Sequence, residues 1–130
     1  MTILYADDDS DDCELLVEAL EKIDPTIECR MANDGRQALK ALDECDNLPD
    51  YIFLDVNMPV MDGKDCLVEL KKDDRYKEIP VVIYSTTKDE GEITALYELG
   101  AVDFLPKPNS FEELYRSLDR MITRLRSESC

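Results

Sequence analysis

A chain of 130 residues is long enough for one hydrophobic core and short for two. Its 15 basic and 31 acidic residues give a formal net charge of -16, which disfavours direct contact with nucleic acid or an anionic membrane surface. There is no histidine, which removes Ser-His-Asp and Cys-His catalysis and histidine phosphotransfer by the chain itself, and no apolar run approaches the roughly 20 residues of a bilayer span. A cytoplasmic location and one domain over residues 1–130 are the expectations. The five cysteines are odd in number and form no CxxC pair, so they read as reduced thiols. Cys13, Cys29, Cys45 and Cys66 fall in regular elements, and only Cys130 is expected to be exposed.

In chain order, residues 2–6 form a short apolar run that stops at the acids Asp7 to Asp12, which reads as a buried strand followed by a helix amino end. Ser10 is the expected N-cap, and Leu16, Ala19, Leu20 and Ile23 continue at helical spacing. Residues 26–31 alternate well enough for a second strand. Asn33, Asp34 and Gly35 then turn into a helix with Asp34 and Gln37 spaced as a capping box and Ala38, Leu39, Leu42 and Cys45 as its inner stripe. The apolar run from Tyr51 to Asp55 is the central strand. It must end near Asp55, because Pro59 biases Met58 away from helix and Gly63 admits backbone geometry that other residues avoid. A third helix is expected from Lys64 to about Lys72, with Leu67 and Leu70 inward.

A fourth strand, residues 81–84, hands over to the hydroxyls Ser85, Thr86 and Thr87. Ile93, Leu96 and Leu99 mark a fourth helix that stops at Gly100. Residues 102–105 form a short fifth strand, Lys107 and Pro108 follow, and Ser110 with Glu113 caps a last helix bearing Leu114, Leu118, Met121, Ile122 and Leu125. Five strands alternating with five helices predict an α/β fold, a parallel sheet covered on both faces. Alternation leaves the strand order open. In such sheets ligands bind at the carboxyl ends of the strands, and if the first and third strands are neighbours, Asp7, Asp8 and Asp55 converge there.

Three carboxylates in one cleft repel one another, and a divalent cation with hard oxygen ligands removes that conflict. Magnesium, manganese and calcium all suit such ligands, and an incomplete cage that leaves room for water and a phosphoryl oxygen favours magnesium. Ser85 can donate to a phosphoryl oxygen and Lys107 supplies a point charge for the same anion. Together these groups suit transfer of a phosphoryl group to the carboxylate of Asp55.

Residues 3–8, 33–35, 54–63, 84–86, 100–101 and 107–108, including the Asp7-Asp8 pair, Asp55 with the Met-Pro turn behind it and Lys107-Pro108, together resemble the response-regulator receiver family over essentially the whole chain. The resemblance implies a flavodoxin-like doubly wound (βα)5 fold with a five-stranded sheet in the order 2-1-3-4-5, and a stand-alone, chemotaxis-receiver-like protein. It implies that Asp55 accepts a phosphoryl group from a partner histidine kinase or histidine phosphotransfer protein, and that the chain is no enzyme beyond that self-catalysed acceptance and its own dephosphorylation. Magnesium, with manganese possible, would be held by Asp8, Asp55, the backbone carbonyl of Asn57 and, through water, Asp7. Ser85 and Phe104 would be the switch pair, Lys107 would contact the phosphoryl group, and a downstream protein would read the result. The resemblance also implies a cis bond between Lys107 and Pro108. Phe104 stands where the family often has tyrosine and lacks its hydroxyl, and Pro106 stiffens the approach to Lys107.

A phosphorelay intermediate or phosphate sink is the alternative within the family. A phosphatase of the haloacid dehalogenase type also uses a strand-end aspartate, but needs a second acid two residues on, where this chain has Asn57. A flavin- or nucleotide-binding module needs a phosphate loop after the first strand, and Asp7, Asp8 and Asp9 would repel a phosphate there.

Overall fold

The computed structural model describes residues 1–129, so Cys130 lies outside the described residues. The elements are β1 (Thr2–Ala6), α1 (Ser10–Ile23), β2 (Glu28–Ala32), α2 (Gly35–Glu44), β3 (Tyr51–Leu54), α3 (Gly63–Lys72), β4 (Val81–Ser85), α4 (Glu90–Glu98), β5 (Asp103–Pro106) and α5 (Phe111–Ser129). All the strand pairs are parallel and the sheet runs β2-β1-β3-β4-β5. The expected α/β architecture and strand order are both observed.

Strand side chains alternate between two apolar layers, as the period of two requires. Ile3 and Tyr5 of β1, Tyr51 and Phe53 of β3, and Val82 and Tyr84 of β4 face α1 and α5, where Leu16, Ala19, Leu20, Leu114, Leu118 and Ile122 bury against them. Leu4, Ala6, Ile52, Leu54, Val81 and Ile83 face the other way, onto Ala38, Leu42, Cys66, Leu67, Leu70 and Leu96. The central strands are packed on both faces, and the residues at the carboxyl edge of the sheet inherit that constraint.

Several boundaries differ from expectation for local reasons. The N-cap of α1 is Asp9, not Ser10: its carboxylate accepts the amide N–H groups of Asp11 and Asp12 at 3.0 and 3.1 Å, and a full negative charge suits a helix amino end better than a hydroxyl. The second strand begins at Glu28 because Thr26 is taken into a turn, its N–H and hydroxyl both donating to Asp24. Gln37 reaches the N–H of Asn33, while Asp34 accepts from the N–H of Gln37 at 2.8 Å. Gly100 closes α4 in the left-handed region at φ 116, with its own N–H bonded to Tyr97 and that of Ala101 to Leu96. Among the described residues there is no cis peptide bond, so the expected cis Lys107–Pro108 bond is corrected to trans. The ladder makes the turn unnecessary: the Lys107 N–H still donates to the carbonyl of Ser85 at 2.9 Å, and its long side chain covers the remaining distance.

The loop after β3 closes on its own strand. Gly63 donates to the carbonyl of Val56 at 3.0 Å, and a Cβ at Gly63 would stand 2.1 Å from the carbonyl oxygen of Asp55. Only glycine admits that approach. Gly63→Ala is therefore expected to destabilise the fold by about 1–3 kcal/mol, as overpacking against backbone does, read as a lower midpoint in urea denaturation.

Candidate functional site

Asp7 and Asp55 are the first residues beyond β1 and β3, and the sheet itself places them. The N–H of Asp7 donates to Ala32 and that of Asp55 to Ala6, at 3.1 and 3.0 Å, so each carboxylate leaves the sheet at a fixed point. Asp7, Asp8 and Asp55 each offer an oxygen within 4.8 Å of the others, with Asp7 and Asp55 buried and Asp8 exposed. Three hard oxygen donors at that spacing, one of them open to water, fit a divalent metal site.

Lys107 enters the same cleft from the end of β5. Its side chain is only 8% exposed, and its ammonium lies 2.7 Å from Asp7 Oδ2, 2.7 Å from Asp12 Oδ2 and 3.1 Å from Asp55 Oδ2. Burial opposes the charge, but the hydrogen bonds to Asp12 and Asp7 outweigh it and hold the lysine pKa above its ordinary value. Asp55 is displaced in the same direction, which for a carboxylate disfavours the charged form. Burial raises its pKa to about 6, the Lys107 ammonium works against that rise, and the neighbouring Asp7 adds to it.

Ser85 is fully buried at the end of β4, and its hydroxyl oxygen accepts the N–H of Thr87 at 3.2 Å. Asn57 is exposed in the loop two residues past Asp55. Phe104 pairs in register with Ile83 and packs, half-buried, against the layer that holds α3 and α4. The structure thus brings Asp7, Asp8, Asp55 and Lys107 together, with Ser85 joined to Lys107 through the backbone.

Two participants escaped sequence reasoning. Tyr5 donates its hydroxyl to Asp7 Oδ2 at 2.5 Å from the fully buried face of β1, and burial with that partner pushes its phenol well above the ordinary range. The spacing was the available signal, since residues two apart on a strand share a face. Asp12 was read only as a helix-end acid, but from the first turn of α1 it reaches back to Lys107. Cys13 and Cys66 are free thiols, and burial pushes each up to about 12, which disfavours the thiolate.

Residues 3–119 match the family described as the response regulator receiver domain. The chain belongs to the response-regulator receiver family. This receiver is 33% identical over 119 residues to response regulator Rcp1 of Synechocystis, a match covering 88% of this chain and 81% of Rcp1. It superposes on the phosphorylated cyanobacterial phytochrome response regulator RcpA with a TM-score of 0.86 and 30% identity, covering 92% of this chain and 89% of that one. The manganese-bound form of Rcp1 gives 0.83 at 30% identity, covering 92% and 90%. A protein-glutamate methylesterase/protein-glutamine glutaminase of Methanosarcina mazei is 32% identical over 123 residues, but the receiver spans only 33% of that protein.

The raised pKa of Asp55 sets a sign for stability. Its folded-state value of about 6 lies above the ordinary 3.8, so the folded state holds this proton more tightly than the unfolded chain does. The stability it contributes is complete below about pH 4 and is lost as pH rises through about 6. In metal-free protein, the melting temperature of Asp55→Asn minus that of the parent is expected to climb between pH 4 and pH 6 and then level off. A flat difference across that window would contradict the assignment.

Proposed function

We propose that the chain is a single receiver in which Asp55 takes a phosphoryl group from the phosphohistidine of a partner kinase or phosphotransfer protein, and that the phosphorylated form changes its contacts with a downstream protein. The observation that carries this reading is the convergence of Asp7, Asp8, Asp55 and Lys107 at the carboxyl edge of a receiver fold. Receiver domains are in general signalling domains, and the chemistry proposed here is acceptance and self-catalysed loss of one phosphoryl group. A cytoplasmic location goes with such a partner. Among the described residues no helix is long and apolar enough to cross a membrane.

An oxygen of Asp55 forms the new P–O bond as the P–N bond to the imidazole breaks, and the electron pair leaves with the imidazole. The sheet fixes the attacking oxygen, which lowers the entropic cost of alignment. Asp8, Asp55, the Asn57 carbonyl and, through water, Asp7 would hold magnesium, or manganese in its place, which when bound neutralises charge developing on the phosphoryl oxygens. Lys107 adds a positive charge beside Asp55, and Ser85 offers a hydroxyl donor. Treatment with a small acyl-phosphate donor, followed by mass spectrometry, is expected to show one phosphoryl group on the parent, none on Asp55→Asn, and little in chelator. Labelling of Asp55→Asn, or undiminished labelling in chelator, would overturn the reading.

The output would travel through α4, β5 and α5. A phosphoryl group adds up to about two negative charges, and drawing the Ser85 hydroxyl toward it opens space that Phe104, on the neighbouring strand two residues before Pro106, the register partner of Ser85, can fill by changing rotamer. With no phenolic hydroxyl, Phe104 couples by packing alone. Amide NMR shifts on adding beryllofluoride, a phosphoryl mimic, are expected to reach residues 85–115. If they stay confined to Asp7, Asp8 and Asp55, the chain is a relay or phosphate sink without its own output.

A further inference from the structure

The Lys107 ammonium has three N–H donors, and all three are spent on carboxylates: Asp7, Asp12 and Asp55. The proposed function requires at least one of them for a phosphoryl oxygen. A cation this buried cannot add a fourth partner, so one of the three must be given up. Asp7 is the costly one to release, because its side chain is completely buried and would be left a charge without its cation. Asp55 is the group being modified. Asp12 is different: its side chain is 28% exposed, at the first turn of α1, where water can solvate the carboxylate once the lysine leaves.

Resting on the reading above, we propose that Asp12 is a positioning residue that latches Lys107 in the unphosphorylated protein and is released when a phosphoryl group arrives at Asp55. The latch holds the lysine at the cleft, so the positive charge is already in place for the incoming anion. It also competes with that anion, which makes phosphorylation harder by whatever the Asp12–Lys107 contact contributes. Release removes the ion pair between the end of β5 and the amino end of α1 and leaves the apolar packing of α1 with α5 in place.

The same negative charge can oppose an anion without any latch, and Asp11 separates the two effects. It is exposed, carries the same charge in the same helical turn, and is not among the partners of Lys107. Asp12→Asn and Asp11→Asn are therefore compared with the parent in magnesium, for the rate of labelling by acetyl phosphate and the affinity for beryllofluoride. Asp12→Asn is expected to bind the mimic about two- to tenfold more tightly than Asp11→Asn, the range that a partly exposed ion pair supports, and to label faster. In metal-free protein the Lys107 ammonium nitrogen resonance should move in Asp12→Asn and stay in place in Asp11→Asn. Should Asp12→Asn melt well below the parent, Asp12→Ser takes its place in the same comparison.

Equal gains in the two variants would mean that bulk charge acts and that there is no latch. Slower labelling or weaker binding of the mimic in Asp12→Asn would mean that Asp12 supports the lysine in the phosphorylated state, which also overturns the proposal. Both results leave the phosphoacceptor reading standing. A parent protein that takes no label on Asp55 would remove that reading, and the latch with it.

Discussion

One ammonium group ties the site together. Lys107 brings the end of β5, the first turn of α1 and the strand-end acids of β1 and β3 to a single point, and each of those segments reaches it by a different route through the fold. Desolvating a lysine is costly, and desolvating carboxylates is costly too, so neither charge set would persist in that cleft alone. Their mutual compensation is what allows a cluster of acids, two of them buried, to sit at the edge of the sheet in a protein that already carries a net charge of -16. The rise in the Asp55 pKa and the rise in the Lys107 pKa come from this one arrangement. Burial penalises both charges, and the partners more than offset it for the lysine and only partly for the aspartate.

The two apolar layers explain why that point is so well defined. β1 and β3 are central strands, paired on both sides and covered on both faces, so the residues that leave their carboxyl ends cannot drift. Asp7 is bonded to β2 as it leaves, and Asp55 to β1. Tyr5 adds a hydrogen bond from within the α1 and α5 layer, joining the position of one acid to the packing of the core. The acidic cleft is thus an extension of the sheet, with its geometry decided by hydrophobic packing well away from the charges.

Much of this was legible in the sequence because apolar periodicity and turn residues are local signals. The five strands and five helices, the inward faces of α3 and α5, and the convergence of Asp7, Asp8 and Asp55 all follow from period, punctuation and the family resemblance. What was not legible depended on side chains reaching across the chain. Asp12 and Lys107 are 95 positions apart, and nothing near either residue announces the other. Asp9 took the cap expected of Ser10 because two acceptors compete at a helix start, and only the chain path decides between them. The peptide before Pro108 was expected to be cis by resemblance, yet the strand pairing and the reach of a lysine side chain suffice with it trans.

The close seat of Gly63 beneath Asp55 has a consequence for how force leaves the site. The Asp55 backbone is held on one side by its bond to Ala6 and blocked on the other by the glycine that begins α3. It works as a fixed anvil. Charge placed on its side chain cannot be relieved by letting the strand end retreat, so the strain falls on the neighbours with freedom to move. The loop after β4 is one of these, held past Ser85 by the 3.2 Å bond from the Thr87 N–H and by 3.4 Å contacts of the Thr87 hydroxyl with Glu92 and the Asp89 N–H. Under the proposed phosphorylation, a missing Cβ would therefore set the direction of motion, because it fixes the backbone of Asp55 in place.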